Sequence, residues 1–381
     1  MDFALSAAQQ ARGEAAREVI ARVVQPLADS VPNGGRLAAD QLRTIYKALA
    51  PLGYVGSTIS PDLGGAGLGF VDYGLLLEAL GASPVMLAEV VPPRTIALAG
   101  SAEQRARFLP GLLAGDLIAT AAITEPQAGS DTRGFVCAGV PDGEVYRITG
   151  RKKWIKLGGI ADLLTLMVVE RDGAGRPQHT RFIVERAASP WRSRELPCVG
   201  MRNLSFAELE FAGVAVPRAN MMAAPGAAMA AFSIGIEASR AFIGLSAAGI
   251  AAHALATAGR YVQGRVAFGR PLARFQAIQL QLGQAATEVA AARLLCLSAL
   301  WRMDQGQRAP LEASMAKAYA TEAAVRACNA CMDAMGAMGL AEEAGVERCW
   351  RDARMLTVID GTTGINRLIV GRELLGTAAF V

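Results

Sequence analysis

Histidine is nearly absent from this chain. Only His179 and His253 occur in 381 residues, which excludes a metal site built from several histidines. Charge is sparse too: charged residues make up 19% and leave a net charge of +4. So small an excess does not call for nucleic acid, although it suits an anionic small ligand. The apolar runs are broken by charge or glycine well before 18 residues, so no transmembrane helix is expected. The first residues lack the apolar core of a secretory signal. Residues 4–24 are rich in Ala and Arg, as in an organelle presequence, but Glu14 and Glu18 argue against one. A cytoplasmic protein is expected. The six cysteines are scattered and suit a reducing compartment. Cys328 and Cys331 form a C-x-x-C that invites a redox or zinc reading. They lie in Ala-rich helical sequence with no second pair and no nearby histidine, so a structural role is expected.

Hydrophobic residues, by contrast, reach 52%, enough for large cores and buried interfaces. The length suggests two or three domains. Residues 1–119 read as helices, with Leu5, Ala8, Ala15 and Ile20 at helical spacings. Gly64-Gly65-Ala66-Gly67-Leu68-Gly69 breaks the pattern. It lacks the preceding strand and the spacing of a dinucleotide fold and reads as a loop between helices. Pro110 is expected to fall between two short helices. Residues 120–225 change to strands: Glu144 to Thr149 alternates after a Pro141-Asp142-Gly143 turn, and Leu163 to Val169 is a nearly continuous apolar run. A turn at Gly173-Ala174-Gly175 leads to Arg181–Val184, and Leu209, Phe211 and Val214 mark a strand ended by Pro217. Residues 226–381 return to long Ala/Leu helical patterns, over 240–261, 275–303 and 310–335, expected to pack as a bundle.

Where the first helical region meets the strands stands Ala121-Ala122-Ile123-Thr124-Glu125-Pro126-Gln127-Ala128-Gly129-Ser130-Asp131. Pro126 forbids a continuing helix, and Gly129 is expected to permit backbone geometry that a side chain would block. Such a bend can offer backbone N–H groups, a hydroxyl and a carboxylate to a flat polar ring and an anion. The alternative is an ordinary surface turn between domains.

Two further blocks decide between these. One is Arg265-Val266-Ala267-Phe268-Gly269-Arg270-Pro271-Leu272 with Phe275 to Gln279. The other is Arg351-Asp352-Ala353-Arg354 followed by Asp360-Gly361-Thr362-Thr363-Gly364-Ile365-Asn366-Arg367. With residues 121–131 and Gly150-Arg151-Lys152-Lys153-Trp154-Ile155, they resemble the acyl-CoA dehydrogenase family in order and spacing, over nearly the whole chain. The resemblance implies an α+β, multi-domain fold: an N-terminal helical domain, a middle β-barrel domain and a C-terminal four-helix bundle. It also implies FAD, an acyl thioester of coenzyme A or an acyl-carrier protein, an electron-transfer flavoprotein as acceptor, and a homodimer or homotetramer.

The resemblance assigns roles residue by residue. Ile123 and Thr124 would touch the flavin edge, with Gly129 in the same motif. Ser130 would lie near the flavin phosphates and the pantetheine arm. Trp154 would stand beside the ring, although a lone tryptophan is more often core. Arg265, Phe268 and Gln276 would reach the FAD of a neighbouring subunit, as would the Gly336 turn. Thr362 would contact a flavin phosphate or the adenosine. Arg240 and Arg372 would lie close to coenzyme A, the alternative being a solvated or ion-paired helix surface. No metal is implied.

Four positions depart from the pattern. Asp360 stands where many members carry the catalytic Glu. Other members place that Glu on the helix that here carries Ser239-Arg240, and Glu237 nearby is expected to face elsewhere. Nitroalkane oxidase, a relative, has Asp at the matched position. Lys156 stands where a Thr or Ser would hydrogen-bond flavin N5; it would favour reduced flavin, pair with Asp360 or an acidic substrate tail, or turn to solvent. Asp333 and Gly364 replace glutamines and weaken the expected grip on FAD. The expected reaction is α,β-dehydrogenation: α-proton to Asp360, β-hydride to FAD. Alternatives are chemistry like that of nitroalkane oxidase or a desulfinase, a non-catalytic subunit, or a DNA-binding relative.

Overall fold

Ser6 opens the first helix because its hydroxyl accepts the Gln9 N–H while the Gln9 side chain accepts the Ser6 N–H. The structure is a computed structural model and describes residues 4–31, 35–174, 176–223, 225–377 and 379. Gly175 of the expected 173–175 turn lies outside the described residues. α1 (Ala7–Val19) runs through a π-helical turn into α2 (Gln25–Asp29). α3 (Ala39–Leu49) buries Leu42, Ile45, Tyr46 and Leu49, one stripe at spacings of three and four. The glycine-rich loop leads to α4 (Phe70–Leu80). A Cβ on Gly65 would fall 2.1 Å from the Ile59 carbonyl oxygen, so glycine is required there. Asp304, far away in sequence, accepts the Phe70 and Val71 N–H groups and caps α4.

α5 (Val91–Ala99) and α6 (Ala102–Leu113) are divided at Gly100-Ser101, where Ser101 and Gln104 form a capping box. Pro110 does not divide them, against expectation. It sits within α6, where burial of Phe108, Leu109 and Leu112 outweighs the one backbone bond proline removes.

The middle region is one eight-stranded sheet of β1 (Ala119–Ala122), β2 (Ala138–Asp142), β3 (Val145–Lys156), β4 (Leu163–Arg171), β5 (Pro177–Glu185), β6 (Arg192–Glu195), β7 (Phe206–Pro217) and β8 (Met221–Ala223). The order is β6-β7-β3-β2-β4-β5-β8, with β1 parallel to β4. The sheet's β6 edge is short, and Arg192 and Arg194 are exposed there, a charged edge that does not invite a further strand. The apolar run predicted for a doubly covered strand is β4, buried from Leu163 to Val169.

The last region holds α7 (Ala228–Gly264), the β9 (Val266–Ala267) and β10 (Arg270–Pro271) hairpin, α8 (Gln276–Asp304), α9 (Pro310–Met335), α10 (Ala337–Leu340), α11 (Val346–Leu356) and α12 (Thr363–Leu375). α7 packs against α9, α8, α4 and α11. Its Phe232–Gly264 stretch is, by length and composition, apolar enough to cross a membrane, which the sequence reading did not expect. In its most apolar window 72% of it is buried inside the protein. That makes it the bundle's central helix, apolar all round because neighbours surround it. Where α7 meets the end of α4, a Cβ on Gly81 would lie 2.4 Å from the Gly249 backbone, so small residues set the close approach. Cys328, Cys331 and Cys349 are buried, with burial pushing the thiols of Cys331 and Cys349 up to about 12. No group of three or more His, Cys, Asp or Glu suited to a metal occurs among the described residues.

Candidate active site

The 121–131 bend is fixed from beneath by a buried ion pair. Lys152 on β3 is fully buried, and its Nζ donates to the Ile123 carbonyl and to Glu125 Oε1, both at 2.8 Å. Glu125 also accepts the backbone N–H groups of Val136 at 2.7 Å and Cys137 at 3.0 Å, and the Gln127 amide at 2.7 Å. Burial pushes the Glu125 carboxyl up, but Lys152 and these donors hold it below its ordinary value. Ile123 and Thr124 are left half-buried on top, and Gly129 and Ser130 are exposed. Gly129 is not required by the backbone as expected. Its φ is not positive, and a Cβ there would meet only Thr124 Cγ2, at 3.7 Å. Asp131 is engaged locally, accepting the Arg133 N–H and its guanidinium.

The Lys153 N–H donates to the Thr124 carbonyl at 2.9 Å, joining this bend to the end of β3. There the pairing with β7 slips between Lys152 and Ile155, and Trp154 takes a φ of 63°. Its ring is 52% exposed and is not core. Lys156 follows, half-buried rather than turned to solvent. Burial pushes its pKa down, while Asp360 and Glu89 pull it back up. Its ammonium has no hydrogen bond or ion pair among the described residues.

Asp360 sits on the bend between α11 and α12, with φ of 55° followed by 94° at Gly361. A left-handed residue that is not glycine is rare, and Asp is among the tolerated types. Burial pushes its carboxyl up and Glu89 adds to this; Lys317, Arg240 and Lys156 pull it down without cancelling the rise. The bend's carbonyls are held by side chains. Lys317 Nζ donates to Thr357 O at 2.9 Å and Gly361 O at 2.6 Å. Asn366 Nδ2 donates to Gly361 O at 2.8 Å, and Arg240 Nε to Asp360 O at 3.3 Å. Thr362 caps α12, its hydroxyl accepting the Ile365 N–H at 3.3 Å.

Opposite lies a second buried carboxylate that sequence reasoning missed. Glu89 accepts Arg94 Nε at 2.7 Å and the Ser239 hydroxyl at 2.5 Å, and Arg94 reaches Ser239 and the Gly235 carbonyl. Both Glu89 oxygens are occupied, which leaves Asp360 as the less encumbered proton acceptor. Lys317 was missed as well. Both were visible as lone charges within largely apolar sequence, Glu89 in 85–91 and Lys317 in 313–320, a pattern that points to buried, partnered groups.

Lys156 and Arg240 thus both come within electrostatic reach of Asp360. Arg240 is buried rather than on a solvated surface, whereas Arg372 is exposed and paired with Glu373. Glu237 faces Arg308, away from Asp360. Arg265, Phe268, Gln276 and Gly336 have no described hydrogen bond to the cluster. Phe268 stands on the β9–β10 hairpin, 90% exposed, in a T-shaped contact with the Phe275 ring. Gly336 ends α9 with a φ of 61°.

A half-exposed tryptophan ring, an unpartnered ammonium and a capped helix start form a set of groups that suits a flat, hydrogen-bonding ring with a phosphate tail. The acyl-CoA dehydrogenase N-terminal, middle and C-terminal domain families match residues 6–116, 120–214 and 227–375. The chain belongs to the acyl-CoA dehydrogenase family. A probable acyl-CoA dehydrogenase of Bacillus subtilis, YngJ, is 31% identical over 98% of this chain and 100% of its own. A glutaryl-coenzyme A dehydrogenase solved with glutaryl-CoA superposes with a TM-score of 0.91, at 28% identity over 99% of this chain and 97% of that one. PigA, solved as its FAD complex, gives a TM-score of 0.91 at 26% identity over 98% and 99%. Acyl-CoA dehydrogenases are flavoenzymes that use FAD, and the groups described above fit it.

Proposed function

We propose that this acyl-CoA dehydrogenase family member oxidises the Cα–Cβ bond of an acyl thioester, of coenzyme A or a carrier protein, with Asp360 as the base. The observation that supports this most is Asp360 itself: a half-buried carboxyl, pushed up from its ordinary range, on a bend whose carbonyls are gripped by three side chains. A raised pKa makes a carboxylate a stronger proton acceptor. FAD, when bound, supplies the acceptor for the β-hydride. Ile123, Thr124, Gly129, Ser130, Trp154, Lys156 and Thr362 would hold it, with Arg265, Phe268, Gln276 and Gly336 reaching it from a second copy. Asp360 takes the α-proton onto a carboxylate oxygen. Lys156 brings positive charge to where negative charge develops. Ser130 and exposed Arg372 suit the anionic arm of the thioester; Arg240, tied to the Asp360 carbonyl, serves the bend first. Electrons would leave through an electron-transfer flavoprotein, and the working unit would be a cytoplasmic homodimer or homotetramer.

The test is anaerobic titration of FAD-loaded protein with butyryl-, octanoyl- and glutaryl-CoA. Bleaching of the flavin spectrum by one of them is expected. Bleaching by a nitroalkane alone would replace the reaction, and protein that stays colourless after FAD is supplied would overturn the cofactor assignment.

A further inference from the structure

Lys317 is fully buried in the middle of α9, and a lysine so placed is rare unless partnered. Its partners are two backbone carbonyls, Thr357 O and Gly361 O, the two ends of the bend that presents Asp360. It forms no ion pair at contact distance with a carboxylate among the described residues. Tying carbonyls alone would not need a charge: Asn366, a neutral amide, already holds Gly361 O and Thr362 O from the other side. The ammonium adds a positive charge near a half-buried carboxyl, in a bend whose left-handed residues at 360 and 361 would not hold themselves.

We propose that Lys317 is the positioning residue for the base: one buried ammonium ties both ends of the 357–361 bend and so fixes where the Asp360 carboxylate accepts a proton. This rests on the reading of Asp360 as the base. The groups facing Asp360 are Glu89 from the α4–α5 connection, Lys156 from β3, Arg240 from α7 and Lys317 from α9; those facing Lys317 are Asp360, Arg240 and Glu322. Burial lowers Lys317 to about 8, and Asp360 is the largest influence opposing that fall.

Lys317→Met keeps the side chain's length and removes its charge and donors. In FAD-loaded protein, amide hydrogen exchange over 357–362 should quicken at least ~10-fold, with the α7 and α9 cores unchanged. The Asp360 carboxyl, followed by infrared titration and assigned by its loss in Asp360→Asn, should titrate about one unit or more higher, because a nearby cation has gone. Flavin bleaching by the active acyl-CoA should fall ~10²-fold at neutral pH, as expected of a misplaced base, and recover in part as pH rises. Unchanged exchange together with an unchanged Asp360 titration would overturn the proposal.

Should Lys317→Met fail to fold, the coupling is measured from the other side. The chain has five lysines, Lys47, Lys152, Lys153, Lys156 and Lys317, so lysine carbons labelled with ¹³C at Cε give a tractable spectrum. In a Lys156→Arg background, which removes the other lysine facing Asp360, Asp360→Asn should lower one lysine titration further; no movement would sink the idea. If Asp360→Asn bleaches at the wild-type rate, the base reading fails, and the exchange data still decide the clamp separately.

Discussion

Two bends meet at this site, and each is held from beneath by a fully buried lysine, yet the two lysines are used differently. Lys152 closes on a carboxylate, Glu125, whose oxygens are further occupied by two backbone N–H groups and an amide, and it lies 4.7 Å from the Phe135 ring centre. That pair is saturated and leaves the surface above it without a free charge. Lys317 closes on carbonyls only, and the carboxylate nearest in effect, Asp360, is left without a hydrogen bond to it. A neutralised pair makes a rigid support; an unneutralised one leaves a titratable group poised. On the proposed function, the first bend would hold a ligand and the second would move a proton.

Asp360→Asn separates the two most strongly. It should lower flavin reduction by about 10²–10⁴-fold, the usual cost of losing a positioned base, while stability and FAD uptake hold because Asn keeps the shape. Anaerobic stopped-flow and thermal melts check this, and a large loss of stability would mean that the second bend is as structural as the first. Lys152→Met probes the other bend. Removing one partner of a buried pair leaves Glu125 charged without its counter-ion, a cost of about 3–5 kcal/mol. Denaturant unfolding should show that loss together with weaker FAD retention. A change below about 1 kcal/mol would break the contrast.

The contrast was only half legible in the sequence. The 121–131 stretch, the 150–156 block and Asp360 stand out because local chemistry marks them: a proline and a glycine in one bend, a glycine before a basic run, a carboxylate beside Gly361. β4 followed from its continuous apolar run and the three long helices from their Ala/Leu patterns. Glu89 and Lys317 did not, because their meaning depends on partners far along the chain: Ser239 is 150 residues from Glu89, and Gly361 is 44 from Lys317. Pro110 was misread because local propensity yields to the burial of Leu109 and Leu112. The membrane-like composition of α7 arises from neighbours on every side, which composition alone does not reveal.

A third buried carboxylate joins the two regions. Asp352 on α11 accepts the Met201 N–H at 2.5 Å, tying the β6–β7 connection to the helix that feeds the Asp360 bend. Burial pushes its carboxyl from 3.8 up to about 6. A carboxyl raised in the folded state stabilises the fold below its unfolded pKa and loses that contribution as pH rises through the folded value. Between about pH 4 and 6, therefore, stability should fall by roughly 3 kcal/mol relative to Asp352→Asn. Asn retains the oxygen that accepts Met201 and does not titrate. Parallel curves from pH 4 to 7, by urea unfolding, would show that Asp352 does not couple the regions in this way.

The smallest effect on the fold is expected at Gly129, and it isolates the ligand's part in the first bend. A Cβ there would sit 3.7 Å from Thr124 Cγ2, ordinary contact, and the backbone is not left-handed. Gly129→Ala should therefore leave stability within about 0.5 kcal/mol of wild type, as at most exposed positions. The glycine then has a function only if something approaches its backbone more closely than a methyl group permits. FAD affinity, measured by fluorescence quenching on titration into the FAD-free protein, should fall ~10-fold or more in Gly129→Ala with the melt unchanged. If affinity and melt both stay put, nothing approaches the bend at Gly129, and the grip on the cofactor has to come from the Trp154 and Lys156 side. If the melt falls instead, the glycine serves the fold, and the saturated Glu125–Lys152 support is less rigid than its hydrogen bonds imply.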